Sequence, residues 1–297
     1  MAERVYAELP GRGLLEVSGE DRVAFLQGLV TNDVTKASAI RAVFAALLTA
    51  QGRYLFDFFI FALGDALYLE TEAARLPDLQ RRLSLYKLRS KIVLADASPR
   101  LAVAAAFGDD APASLGLAGE GSAKAFAGGI AFIDPRLQAL GLRCALPRET
   151  GFAALEAAGF ARADEALYDS HRLALGVPDG SRDLAPEKAL LLESGFDELN
   201  GIDWQKGCYM GQELTARMKY RALVKKRLLP VTVEGDLPPA GTAVMLGNEE
   251  AGEIRSGRDG RALALLRLDA TEAAAKGAPL MADGARITPE QPGWMKI

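Results

Sequence analysis

Hydrophobic and polar positions along the chain change rhythm several times, and each change marks an element. Residues 13–17, Gly-Leu-Leu-Glu-Val, read as a short strand. Phe25, Leu26, Leu29 and Val30 then recur at helical spacing, and Ser18 with Asp21 before them resembles a capping box. An apolar run at 54–63, a Gly64-Asp65 turn and a second run at 66–70 predict a hairpin. Leu76, Leu79, Leu83 and Tyr86 predict an amphipathic helix over 75–89, with Pro77 in its first turn and Arg81 and Arg82 on its other face. Strands at 92–95, 101–107, 130–133 and 142–146 lead to a helix near 151–158. The Gly/Ala/Ser-rich residues 108–129 between them read as a flexible connection. A further helix over 164–175 stops at Gly176, with Pro178 beyond.

After residue 228 the rhythm shortens. Apolar strands at 228–233, 243–246, 253–256, 262–268 and 285–288 are spaced by Gly247-Asn248, Asp259-Gly260 and Asp283-Gly284. This predicts a small antiparallel barrel or sandwich. The whole reads as an α+β chain divided into 1–225 and a β-rich region at 226–297.

Composition narrows the classes. Of 297 residues, 49% are hydrophobic and 25% charged, which suits a globular chain with ample core. The net charge of −4 argues against a broad nucleic-acid surface, so no stable nucleic-acid partner is expected. Two cysteines, Cys144 and Cys208, and one histidine, His171, cannot alone ligate zinc or hold a self-contained iron–sulfur cluster. Two lone cysteines suit a reducing compartment. With no leader-like N-terminus and no apolar run of membrane length, the expected location is cytoplasmic, with no membrane partner.

The chemistry concentrates at residues 206–213, Lys-Gly-Cys-Tyr-Met-Gly-Gln-Glu. A thiol, an amine, an amide and a carboxylate lie within eight positions, and Gly207 and Gly211 bracket Cys208 and Tyr209. Leu214 and Met218 then share a helical face, so the segment reads as a loop feeding a helix. A nearby Lys206 and a following helix start both favour thiolate at Cys208. The alternative is that Cys208 is a small hydrophobe in the core, which is how Cys144 is read.

Residues 206–213 resemble the K-G-C-Y/F-x-G-Q-E signature of the YgfZ family, folate-binding proteins related to the glycine cleavage T-protein and implicated in iron–sulfur cluster maturation. The similar T-protein segment has an aspartate where Cys208 stands. Residues 17–19, 25–28 and 31–34 resemble the opening of both families, and Tyr86 to Lys91 resemble the family's Y-x-L-R-x-K segment. The resemblance implies a T-protein-like, multi-subdomain fold, with two interleaved α+β subdomains over 1–225 and a C-terminal barrel. It implies tetrahydrofolate or another folate as cofactor, and iron–sulfur client or assembly proteins as partners. It also implies an indirect effect on tRNA modification through cluster-dependent enzymes.

Residue by residue, the resemblance points to Cys208 as the working thiol, aided by Lys206. Gly207 and Gly211 shape the loop, and Tyr209, Gln212 and Glu213 pack it or bind ligand. Asp57, inside an apolar strand, is either a solvent-facing carboxylate or a folate contact, since T-proteins place an aspartate near this position. Arg172, in the segment Arg-Leu-Ala-Leu-Gly-Val-Pro, and Glu193 complete the expected cofactor set. Two other readings stand beside the maturation factor: a tetrahydrofolate-dependent aminomethyl transferase, and an adaptor whose loop is purely an interaction surface.

Overall fold

The computed structural model describes residues 4–296. These form two compact units. The first runs up to Leu48, resumes over Leu55–Tyr168 and takes in Leu199–Met210. The second comprises Thr49–Tyr54, Asp169–Glu198 and the chain from Gly211 onward. The chain passes from the first to the second inside the segment 206–213, between Met210 and Gly211.

The first unit is built on strands and short helices in this order: β1 (Val5–Glu8), β2 (Arg12–Ser18), α1 (Arg22–Gln27), β3 (Val43–Leu48), β4 (Tyr54–Leu63), β5 (Ala66–Glu72), α2 (Leu76–Lys87), β6 (Val93–Asp96), β7 (Leu101–Phe107), α3 (Ala111–Ser114), β8 (Ala123–Phe126), β9 (Gly129–Ile133), β10 (Leu142–Pro147), α4 (Gly151–Ala157) and β11 (Ala161–Ala163). One sheet has the order β3-β4-β5-β2-β6, the other β11-β1-β7-β10-β9-β8. Leu15, Leu26, Leu55, Leu79 and Leu83 form a core between the first sheet and its helices α1 and α2. Tyr6, Ala104, Leu146, Leu155 and Phe160 form the core of the second sheet with α4.

A third layer of contacts is aromatic and ionic. Phe44, Phe59, Phe61 and Phe132 stack in tilted pairs with ring centroids 5.3 to 5.9 Å apart. The guanidiniums of Arg136 and Arg143 each lie 4.8 Å from the Phe59 centroid. Both arginines are buried, as are their partners Asp134 and Glu70. Arg136 meets Asp134 at 2.8 Å, and Glu70 takes Arg12 at 2.7 Å and Arg143 at 3.2 Å. Buried charge survives because every ion has an opposite partner.

The second unit holds most of α5 (Glu165–Ala174), then α6 (Gly180–Asp183), α7 (Gln212–Tyr220), β12 (Lys226–Glu234), β13 (Ala243–Leu246), β14 (Glu249–Arg258), β15 (Arg261–Arg267), α8 (Leu268–Ala275), β16 (Leu280–Ala282) and β17 (Ala285–Pro289). The six strands close into an antiparallel barrel, β12-β15-β14-β13-β16-β17, around Val231, Val244, Ile254, Leu266 and Ile287. Asp259 and Gly260 have φ of 53° and 73° in succession, the backbone that a tight right-twisted hairpin requires. The fold is α+β with a C-terminal barrel.

Two local expectations change. Residues 108–129 are not a bare connection, because α3 and the edge strand β8 lie within them. Short elements in a Gly/Ala-rich run leave no periodicity to read. The capping box is also absent: Ser18 ends β2, and the Asp21 carboxylate accepts from the Lys91 backbone amide at 2.7 Å rather than capping α1.

Candidate functional site

The segment leading into Cys208 is built by stitching residues 200–206 onto residues 27–36. Thr31 Oγ1 donates to the Gly201 carbonyl at 2.6 Å, and Asn32 Nδ2 donates to the carbonyls of Phe44 and Asn200, each at 2.7 Å. Asp203 then organises the turn. Its Oδ1 accepts from the amides of Gln205 (2.8 Å) and Lys206 (3.1 Å), and its Oδ2 meets Lys36 Nζ at 2.5 Å. Burial works to raise this carboxyl. The Lys36 bond and the two amides outweigh it and hold Asp203 below the usual carboxylate range.

Lys206 closes the arrangement. Its Nζ donates to the carbonyls of Gln27 (2.8 Å), Val30 (2.5 Å) and Asn32 (2.8 Å), at and just beyond the C-terminal end of α1. A helix C-terminus presents unpaired carbonyls and partial negative charge, so it is a natural seat for an ammonium. Three acceptors match the three N–H bonds of a lysine. Burial pushes the ammonium down to about 8, against the pull of the Asp33 and Asp203 carboxylates. The same Nζ lies 5.3 Å from the Tyr209 ring centroid, and Tyr209 is buried. One residue on, the Met210 amide donates to the Gly28 carbonyl at 3.1 Å, and Met210 packs against the core of the β3–β6 sheet. Lys206, Tyr209 and Met210 are thus anchored, while Gly207 and Cys208 between them are exposed.

The two glycines differ. Gly211 has φ of +81° and caps α7 from the left-handed region, where glycine is favoured. Gly207 lies outside that region, and a Cβ there would meet open space. Gly52 (φ +79°), in the same unit as Gly211, is a position that sequence reasoning passed over. A Cβ on it would lie 2.7 Å from the Gly211 carbonyl oxygen and 2.8 Å from Leu214 Cβ. Gln212 opens α7 and Glu213 is exposed in its first turn.

The remaining expected cofactor residues fall in separate surroundings. Asp57 is 4% exposed, in a strand buried along most of its length, so it does not face solvent. The Asp57 carbonyl accepts from Thr71 Oγ1 at 3.0 Å. Glu193 is half-buried, and burial raises its carboxyl against the pull of Lys226 and Arg53. Arg172 is fully engaged inside the second unit. It donates to Asp169 (2.7 Å), Asp183 (2.9 Å), Ser256 Oγ (2.8 Å) and the Val177 carbonyl (3.2 Å). That arrangement gives Arg172 a structural place, joining α5 to α6 and β14.

A cavity of about 530 Å³ lies in the first unit beside the stitched segment. Its wall includes Lys36, Arg41, Phe44, Glu120, Asn200 and Trp204, and none of the expected cofactor residues. Sequence reasoning missed these positions. Thr31 to Asp33 resemble the family opening, but nothing along the chain says that they meet residues 200–206.

Cys144 is buried in β10, where burial pushes its thiol up to about 12. Cys208 is the exposed thiol. Among the described residues no group of three His, Cys, Asp or Glu could hold a metal, and no helix is long and apolar enough to cross a membrane.

Comparison with known proteins places these features. Residues 225–297 match the family model described as CAF17, C-terminal beta-barrel domain. The fold matches that of the glycine cleavage system aminomethyltransferase T from Bartonella henselae, with a TM-score of 0.76, 16% identity, and coverage of 99% of this chain and 87% of that one. The fold is therefore that of the T-proteins. The human iron–sulfur cluster assembly factor IBA57, mitochondrial, is 36% identical over 278 residues, spanning 87% of this chain and 76% of that protein. Its mouse counterpart is 34% identical over 285 residues, with the same coverage. An IBA57 homolog from Aspergillus fumigatus is 31% identical over 336 residues, spanning 96% of this chain and 74% of that protein. These relatives are mitochondrial proteins, which overturns the cytoplasmic location expected from the N-terminal sequence. At this identity and coverage, the chain belongs to the family of the iron–sulfur cluster assembly factor IBA57.

Proposed function

We propose that this protein is a folate-binding iron–sulfur cluster assembly factor whose working group is the Cys208 thiol. The observation that carries the reading is the contrast at 206–210: one exposed cysteine held between residues pinned to the protein body. A thiol kept in water at such a cost in local order is placed to meet another molecule. The likeness of residues 206–213 to the YgfZ signature supports the same reading.

Of its two cysteines only Cys208 is exposed, and iron–sulfur clusters take about four protein ligands. A cluster in transit is therefore substrate here, and Cys208 supplies one ligand while a partner's thiols supply the others. Lys206 acts on the loop's shape. With its three hydrogens on carbonyls, it fixes the backbone that carries Cys208.

The first-unit cavity fits a folate. Its volume lies within the range of small-molecule sites. Trp204 offers an aromatic plane and Arg41 a cation for a carboxylate of the glutamyl tail, beside Asn200 and Glu120, which hydrogen-bond each other at 2.9 Å, and Lys36, which meets Asp203. When bound, tetrahydrofolate would supply a reduced pterin able to accept a one-carbon unit. The T-protein fold also favours a second reading, aminomethyl transfer, in which Asp57 and Glu193 would matter and Cys208 would not.

Complementation tests the proposal. The gene is deleted, a cluster-dependent enzyme such as a radical tRNA methylthiolase is assayed, and wild type or Cys208→Ala is restored at equal protein level. Rescue by wild type alone supports the thiol. Equal rescue by both variants removes Cys208 from the mechanism. Intact cluster enzymes in the deletion strain, together with aminomethyl transfer by the purified protein, would make the second reading the correct one.

A further inference from the structure

The surface where α2 turns into β6 is both apolar and cationic. Leu85 and Leu88 are 70% and 89% exposed, and Tyr86 and Val93 beside them are also exposed. Leu88 adopts φ of 43° with ψ of −110°, a positive-φ conformation that a leucine occupies at a cost in free energy. Folding gains nothing from a strained leucine held out in water. A tight turn, with the Ser90 amide on the Lys87 carbonyl at 2.7 Å, brings the helix end directly into β6. That strand is the end member of its sheet and pairs with β2 on one side.

Charge selects the occupant. Residues 79–95 contain Arg81, Arg82, Lys87, Arg89 and Lys91 and no carboxylate, in a chain of net charge −4. Nearby acids answer part of this: Asp78 pairs with Arg81 and Glu20 with Lys91. Lys87 and Arg89, which flank Leu88, make no ion pair among the described residues. Gln80 Nε2 already donates to the Leu94 carbonyl of this strand at 3.1 Å, but a sheet edge in general presents backbone groups that another strand can satisfy and that lipid cannot. The combination of sheet edge, apolar knobs and unanswered cations fits an extended protein segment better than a membrane.

We infer that the Leu85–Leu88–Val93 surface docks an acidic segment of a partner protein, laid along β6 with aliphatic side chains against the leucines and carboxylates on Lys87 and Arg89. The site has a built-in relation to the Cys208 loop. Helix α1 has Asp21, at its N-terminal end, on the Lys91 amide, and Gln27 and Gly28, at its C-terminal end, on Lys206 and Met210. A helix of six residues is about 9 Å long. A protein docked on this surface therefore has its body within reach of the exposed thiol. The inference goes beyond the role proposed for Cys208 and does not depend on it.

The test is fluorescence anisotropy with a short labelled peptide alternating glutamate and valine, against the full chain. The companion probes are the lysine-for-glutamate peptide and vesicles containing anionic phospholipid. The acidic peptide is expected to bind, with affinity falling by about tenfold or more in Leu88→Asp and in the double variant Lys87→Glu/Arg89→Glu, while the lysine peptide does not bind. Circular dichroism checks that these surface variants stay folded. Cys208→Ser should bind the peptide as wild type does, which separates this inference from the thiol's role. No binding of the acidic peptide, or binding unchanged by both variants, overturns it. So does Leu88-dependent capture by the vesicles, which would make the surface a membrane contact.

Discussion

Lys206 Nζ and the Asn32 carbonyl oxygen lie 2.8 Å apart, across 174 residues of chain. That bond, with those to Gln27 and Val30, makes the base of the Cys208 loop part of the α1 core rather than a surface excursion. Lys206→Met should remove all three and leave buried carbonyls, lowering stability by about 2 kcal/mol in urea unfolding. It should also raise proteolytic cleavage near Gly207. If cleavage and stability are unchanged, Lys206 is not the strut described.

The same lysine gives a pH signature. Its folded value, about 8, lies below the ordinary 10.5, so between these the unfolded state binds more protons. Stability from this group is thus lowest below pH 8 and rises as the pH climbs toward 10.5. Partial exposure screens the effect, leaving about 1 kcal/mol gained by wild type over Lys206→Met between roughly pH 7 and 9.5. Denaturant midpoints of the pair at the two pH values read this difference. A gap that shrinks with pH would contradict the sign.

The glycines of the signature separate shape from composition. Gly207→Ala should change stability by less than about 0.5 kcal/mol, because its Cβ enters open space. Gly52→Ala should cost about 2 kcal/mol or more, since strain at φ +79° adds to overlap with the Gly211 carbonyl and Leu214. Thermal midpoints of the two variants test the contrast, and equal midpoints would refute it.

What the sequence revealed depended on whether chemistry or burial set the pattern. The barrel was legible because its hairpin turns need residues such as Asp259-Gly260 and separate short apolar runs, one of which, β17, alternates in and out. Strand β3 was not read as one, because Val43–Leu48 is buried on both faces and shows no alternation. The signature loop was legible as a cluster of functional groups. Its support was not, because the partners of Lys206 are backbone carbonyls, which any residue could provide. Arg172 illustrates the opposite hazard: the resemblance points to it as a cofactor contact, yet Asp169 and Asp183 from its own unit hold its guanidinium.

Native alkylation should distinguish the two thiols. Iodoacetamide at neutral pH is expected to modify Cys208, which is exposed, and to spare Cys144, whose thiol is buried and pushed up to about 12. Both should react once the chain is unfolded. Intact-mass analysis showing two adducts on the folded protein would mean that β10 opens readily.

The charge network around Phe59 should set acid stability. Burial works to raise the Asp134 carboxyl, but Arg136 and Arg143 outweigh it and hold the carboxyl below its ordinary range. The stability it contributes is present above that ordinary value, near 3.8, and is lost as pH falls through the lower folded value. Asp134→Asn removes the carboxylate that buried Arg136 meets at 2.8 Å, while Arg143 keeps Glu70, and should cost about 3 kcal/mol at neutral pH. Urea midpoints at neutral pH, and again below about pH 4 where the gap should narrow, test both statements.

Arg172 provides the sharpest test of a structural against a ligand role. Its guanidinium divides four hydrogen bonds among Asp169, Asp183, Ser256 and the Val177 carbonyl, and Asp183 is itself fully buried. Arg172→Ala would leave that carboxylate without its ion partner, at a cost of about 3–5 kcal/mol. Arg172→Lys should recover little of this, because a single ammonium cannot span the planar fork that joins α5, α6 and β14. A residue that served chiefly to bind folate would behave in the reverse way. Its alanine variant would keep the wild-type thermal midpoint and lose affinity for tetrahydrofolate in equilibrium dialysis. Measuring both quantities on the same protein decides between the two, and a stable Arg172→Ala chain with weakened folate binding would return Arg172 to the cofactor site.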